Sequence, residues 1–124
     1  GEALLEDELG IYLDELAELA RYAGLQTLIR CGQNGPMEIR SASLCYDFAF
    51  ETISLALKAE ASPLMGWLEE EEGRLTFRFL PGSDPVEWRF SEELTAAVTG
   101  SGGQIVRKDL DDAVGICLTI PLGG

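Results

Sequence analysis

An α/β fold is predicted, a two-layer sandwich whose mixed, mainly antiparallel sheet carries its helices on one face. Three observations lead there. Apolar residues recur at helical spacing in the stretches 3–23 and 40–61. A short run at 64–69 and an alternating one at 74–80 meet across a turn, which parallel neighbours cannot do. The order helix, strand, helix, strand, strand, helix, strand, strand then leaves a sheet that helices cover on one side.

The elements follow in chain order. Leu5, Leu9, Tyr12, Leu13, Leu16, Leu19 and Ala20 make the apolar stripe of a first helix over 3–23. Glu6, Asp7 and Glu8 sit at its amino end, where the helix dipole favours anions, and Gly24 stops it. Leu25–Cys31 reads as a strand and Gly32–Pro36 as a loop. A second helix spans about Arg40 to Ala61, capped by Ser41 or Ser43 and ended by Ser62-Pro63. Leu44, Phe48, Ile53, Leu55, Ala56 and Leu57 belong to its broad apolar surface, so it is the most buried helix.

A hairpin pairs Leu64–Glu69 with Arg74–Leu80 through the turn Glu70–Gly73. Glu69 to Glu72 are consecutive acids, read as a solvated hairpin tip and not as a metal site. The connector Leu80–Val86 contains PGSDP. Ser91 caps a third helix, with Glu92 and Glu93 in its first turn and Leu94, Ala97 and Val98 facing inward. Gly100 to Gly103 break it. Gln104–Arg107 and Val114–Pro121 close the sheet across KDLDD.

Composition narrows the chemistry. The 124 residues suit one domain, 1–124, and 46% hydrophobic content supports a packed core. The opening Gly1, where Met would stand, reads as a domain cut from a longer protein. Nine basic against 22 acidic residues give a formal charge of -13, which disfavours nucleic-acid and anionic-membrane partners. No apolar run approaches a membrane span, and a cytoplasmic location is expected. Histidine is absent, removing the commonest general base and nitrogen ligand. Cys31, Cys45 and Cys117 each lie in an apolar setting and read as buried free thiols. Gly100, Gly102 and Gly103 follow a helix, the wrong end for a phosphate-cradling loop. Trp67 and Trp88 read as core or edge anchors. Glu51, flanked by FAFETISLAL, reads as a partly buried packing or capping partner, with Asp47 on nearly the same helix face.

Two stretches carry a family resemblance. YDFAFETISLALKAEASPLMGWLEEEEGRLTFRF resembles the segment of sensor histidine kinases in which a helix bearing a glutamate and an asparagine runs into a hairpin. SEELTAAVTGSGGQIVRKDLDDAVGICLTIPLGG is similar to their closing helix, double-glycine turn and last two strands. YLDELAELARYAGLQTLIRC resembles the lead-in helix, here 1–24, and first strand. The resemblance is thus to the kinase ATP-binding domain, of the Bergerat-type fold shared with gyrase and the Hsp90 chaperones.

What the resemblance implies is a nucleotide site, and the sequence departs from it. Glu51 matches the family's glutamate and Lys58 its basic residue, but Leu55 stands where the magnesium-holding asparagine should be. Ala59 stands where a histidine is common. Asp84 is placed like the adenine-reading aspartate, yet Pro85 and Val86 follow it in place of the motif's glycine. Only PGSDPVEWRF spans the region of the glycine-rich lid. Gly102 and Gly103 are retained. If nucleotide binds, Glu51, Lys58, Asp84, Gly102 and Gly103 are its implied contacts, with Asp47 or Glu51 as a substitute oxygen ligand.

The expectation is a non-catalytic signalling or interaction module without cofactor or metal. Its expected partners are other domains of the same longer protein, a response-regulator-like protein, or a second copy meeting it through helix 3–23. The alternatives are the ATP-binding domain of an active but divergent sensor histidine kinase, and an unrelated α/β domain, which a different strand order would favour.

Overall fold

The computed structural model describes residues 3–4, 8–32, 35–83 and 87–122. In chain order the elements are β1 (Ala3–Leu4), α1 (Glu8–Tyr22), β2 (Thr27–Gly32), β3 (Met37–Glu38), α2 (Ile39–Ala59), β4 (Leu64–Glu71), β5 (Arg74–Pro81), α3 (Glu92–Gly100), β6 (Gln104–Leu110) and β7 (Ala113–Pro121). The main sheet has five strands in the order β2-β4-β5-β7-β6. β2 runs parallel to β4, and every other neighbour is antiparallel. β1 and β3 pair separately.

Strand alternation decides which face is the core. Leu68, Phe77 and Leu118 stand opposite one another across β4, β5 and β7, as do Gly66, Phe79 and Ile116. Except for Gly66, these residues bury hydrophobic side chains beneath the helices. Phe48 of α2 is fully buried, and its ring lies 5.6 Å from both Phe77 and Phe79 and 5.5 Å from Phe90. Such a cluster fixes α2 over the middle of the sheet, because aromatic edges and faces fit in few ways. Gly66 is part of the same fit: a Cβ there would stand 2.6 Å from the Phe79 ring. α1 contributes Leu9, Leu13, Leu16, Ala17 and Ala20 to the core, whereas Tyr12 and Leu19, predicted in the same stripe, are exposed, because the buried face is centred on Leu13 and Ala17.

Several expectations are corrected. The first helix begins at Glu8, not at residue 3, because Ala3 and Leu4 ladder with Glu38 and Met37. Leu5 lies outside the described residues. Neither Ser41 nor Ser43 caps α2: its N-cap is Glu38, which makes no side-chain cap hydrogen bond, because β3 runs straight into the helix. α2 stops at Ala59, before the predicted Ala61, with Glu60 turned left-handed at φ 53. The first hairpin is longer than predicted. Glu70 and Glu71 continue β4 opposite Leu75 and Arg74, leaving a two-residue turn of Glu72 and Gly73. Both have positive φ, as a hairpin of this length demands. β6 and β7 likewise extend to Leu110 and Ala113.

Candidate functional site

The residues singled out by sequence are brought together only in part. Glu51 sits on α2 where that helix passes the start of α3. Its Oε1 accepts a hydrogen bond from the Ser91 backbone N–H at 2.7 Å, and its Oε2 one from the Ser91 hydroxyl, also at 2.7 Å. The Ser91 Oγ in turn accepts from the Leu94 N–H at 3.1 Å, so Ser91 caps α3 as its sequence predicts. Both carboxylate oxygens therefore serve a chain of contacts that pins the amino end of α3 to α2. This is the packing and capping role read for Glu51. A helix amino terminus is a ready anion site, and here a side-chain carboxylate already answers it.

Leu55 lies one turn further along α2, half-buried, and offers no oxygen. Lys58 is exposed in the last turn of α2. Asp84 lies outside the described residues. Gly102 and Gly103 are at the carboxyl end of α3, a nine-residue helix away from Ser91, or about 13 Å at 1.5 Å per residue. Their roles are backbone ones. Gly102 has φ +79, and the Gly103 N–H donates to the Val98 carbonyl at 2.9 Å. A Cβ on Gly103 would stand 2.3 Å from the Thr119 carbonyl oxygen. The double glycine is what lets α3 turn tightly into β6 beside β7.

The remaining titratable groups are arranged for structure. Asp47 is on the rim of a cleft of about 430 Å³ between α1 and α2. Although Asp47 is largely exposed, partial loss of water at that rim, and then the neighbouring charge of Glu51, raise its carboxyl above the usual range. Cys45 is buried, and burial, followed by Cys31 nearby, pushes its thiol up to about 12. It is no nucleophile at neutral pH. Cys45 and Cys117 are buried thiols, as predicted, while Cys31 is only half-buried. Among the described residues no cluster of three or more metal-ligating side chains occurs, the glutamates of β4 included. No helix among them is long and apolar enough to cross a membrane. Trp88 packs on the core, as an anchor should, and lines a second cleft of about 420 Å³ with α3 and β6.

The Glu51–Ser91 link is the feature that sequence reasoning left incomplete. Ser91 was legible as a cap and Glu51 as a partly buried acid. Nothing local joins residues 40 positions apart.

No protein-family model matches this sequence, and no curated protein matches it. Solved structures do. The Acinetobacter baumannii histidine kinase AdeS superposes with a TM-score of 0.71 at 10% identity, covering 99% of this chain and 68% of that one. The blue-light activated histidine kinase EL346 of Erythrobacter litoralis gives 0.69 at 13% identity, over 95% of this chain and 45% of that one. The isolated catalytic domain of the histidine kinase ThkA gives 0.59 at 13% identity, over 98% of this chain and 96% of that domain. This chain thus spans less than half of the light-activated kinase and nearly all of a catalytic domain taken alone. The strand order that would have favoured an unrelated domain is not observed. The chain has the fold of the histidine kinase catalytic, ATP-binding domain.

Proposed function

We propose that this chain is a signalling or interaction module, built on the histidine kinase ATP-binding fold, that has lost nucleotide and magnesium binding. The observation that carries the proposal is the engagement of both Glu51 oxygens by Ser91. Phosphoryl transfer depends on positioning and on charge stabilisation around a metal-bound triphosphate. On α2, Leu55 supplies no ligand to the metal, and Glu51 is spent on α3. A net charge of -13 adds long-range repulsion toward a polyanion. The module acts by docking on other domains of a longer protein or on a response-regulator-like protein, in the cytoplasm, within two-component signalling of the bacterial kind.

Calorimetric titration with ATP and with a non-hydrolysable analogue, each with and without magnesium, tests this directly. The expected result is no heat and no change in melting temperature at millimolar nucleotide. A magnesium-dependent Kd in the micromolar range would overturn the proposal and establish a divergent active kinase domain. In that event Glu51→Gln would be the first variant to weaken binding.

A further inference from the structure

The face of the sheet turned away from the helices has a composition unlike the rest of the molecule. Arg30, Trp67 and Arg78 stand directly opposite one another on β2, β4 and β5. Leu28, Met65 and Leu80 form the adjoining row. Leu28 is exposed, and Met65, Trp67 and Leu80 are half-buried. Beside them, Gly115 and Cys117 are buried under neighbouring side chains: a Cβ on Gly115 would be in ordinary contact with Leu110, Leu80 and Arg78 at 3.6–4.0 Å. Among the described residues this face carries four basic side chains, Arg30, Arg74, Arg78 and Lys108, against two acidic ones, Glu69 and Glu71. In a chain of nine basic and 22 acidic residues that is a marked segregation.

The complementary surface is on the other side of the same chain. The outward face of α1 leaves Leu19 65% and Tyr22 88% exposed, with Ile11 and Tyr12 about half exposed. Asp14, Glu15 and Glu18 lie among them, also exposed. The one basic residue of α1, Arg21, turns back into the domain, where its guanidinium donates to the Thr27 carbonyl at 2.8 Å. We propose that the open sheet face receives the outer face of α1 from a second copy of this chain, joining copies head to tail.

Shape and charge both support the pairing. A helix of 15 residues is about 22 Å long, and five strands span about 19 Å across the sheet. The open face is therefore large enough to receive the helix along its whole length. Leu19 and Tyr22 supply apolar anchors for Leu28, Met65 and Trp67, while Glu15 and Glu18 meet Arg30 and Arg78. A symmetric contact of α1 with its own copy would instead oppose Asp14, Glu15 and Glu18 to themselves. Because the two surfaces differ, the contact is heterologous and its products are rings or open chains.

Sedimentation velocity on the whole chain tests this with two charge-reversed variants, Arg30→Glu/Arg78→Glu on the sheet and Glu15→Arg/Glu18→Arg on α1. Circular dichroism and thermal melts check that both fold. The wild type is expected to associate between micromolar and millimolar concentration, more strongly at low salt. Each variant alone is expected to associate at least tenfold more weakly. Mixed in equal amounts, they retain one intact pair of surfaces and gain one charge-swapped pair, so association between the two variants is restored. A wild type that stays monomeric to millimolar concentration overturns the proposal. So does a mixture that stays monomeric, or a reversal that leaves association unchanged.

Discussion

At the scale of single residues, the Glu51–Ser91 contact makes the sharpest demand on experiment. A hydrogen bond to a charged group is worth about 1.5–3 kcal/mol when its partner is left buried, and a serine cap about 1 kcal/mol. Glu51→Ala should therefore destabilise the chain by roughly 2–3 kcal/mol in urea unfolding, and Ser91→Ala by roughly 1–2 kcal/mol. In the double variant the losses should overlap by at least about 1 kcal/mol, the mark of residues that act through one contact. Additive losses would mean that the two side chains are not joined in solution. The same residues show where sequence reasoning reached its limit. Ser91 announces a cap because glutamates and an apolar run follow it, and Gly102-Gly103 announces a stop because glycine suits a positive φ. Glu51 announces only partial burial. Its partner is set by how α2 crosses α3, which no local spacing encodes.

At the scale of elements, α2 ends in a way that can be improved. Glu60 closes the helix in the left-handed region at φ 53, its N–H bonded to the Ala56 and Leu57 carbonyls. An L side chain pays for that conformation, and glycine adopts it freely. Glu60→Gly is expected to raise stability by roughly 0.5–1 kcal/mol, less the entropy that glycine gains in the unfolded chain. A melting temperature that falls would mean that Glu60 contributes something its exposed position does not suggest. The periodicities of α1, α2 and β5 were legible because each buries one face against the same core, whereas the apolar run of β4 shows no alternation in sequence. Their ends were less so. Glu70 and Glu71 read as turn by composition, yet pair with Leu75 and Arg74, since a two-residue turn matches strand twist better than a longer loop. β3 is too short to carry a periodic signal. Its entry into α2 removes the serine cap that composition had suggested.

At the scale of the whole molecule, charge sets the response to pH and salt. A formal charge of -13 on 124 residues works against the compact state, and that repulsion weakens both as acids protonate and as salt screens them. Asp47 acts in the same direction. Its folded carboxyl is raised above the ordinary value of 3.8 by shelter from water and by Glu51, so on acidification the native state takes up this proton before the unfolded chain does. Where the native state binds more protons, stability rises as pH falls. That gain begins as pH drops toward the raised value and is complete below the ordinary one. Thermal unfolding between neutral pH and mild acid should accordingly show a melting temperature that climbs before acid unfolding sets in. The two causes separate in salt. At about 1 M the screening length is near 3 Å, which removes repulsion between distant surface charges and leaves the small contribution of the partly desolvated Asp47. Asp47→Asn should flatten what remains of the climb at high salt and raise stability slightly at neutral pH. If the high-salt slope is the same with and without Asp47, the cleft between α1 and α2 does not shelter that carboxyl, and the acid response belongs to net charge alone.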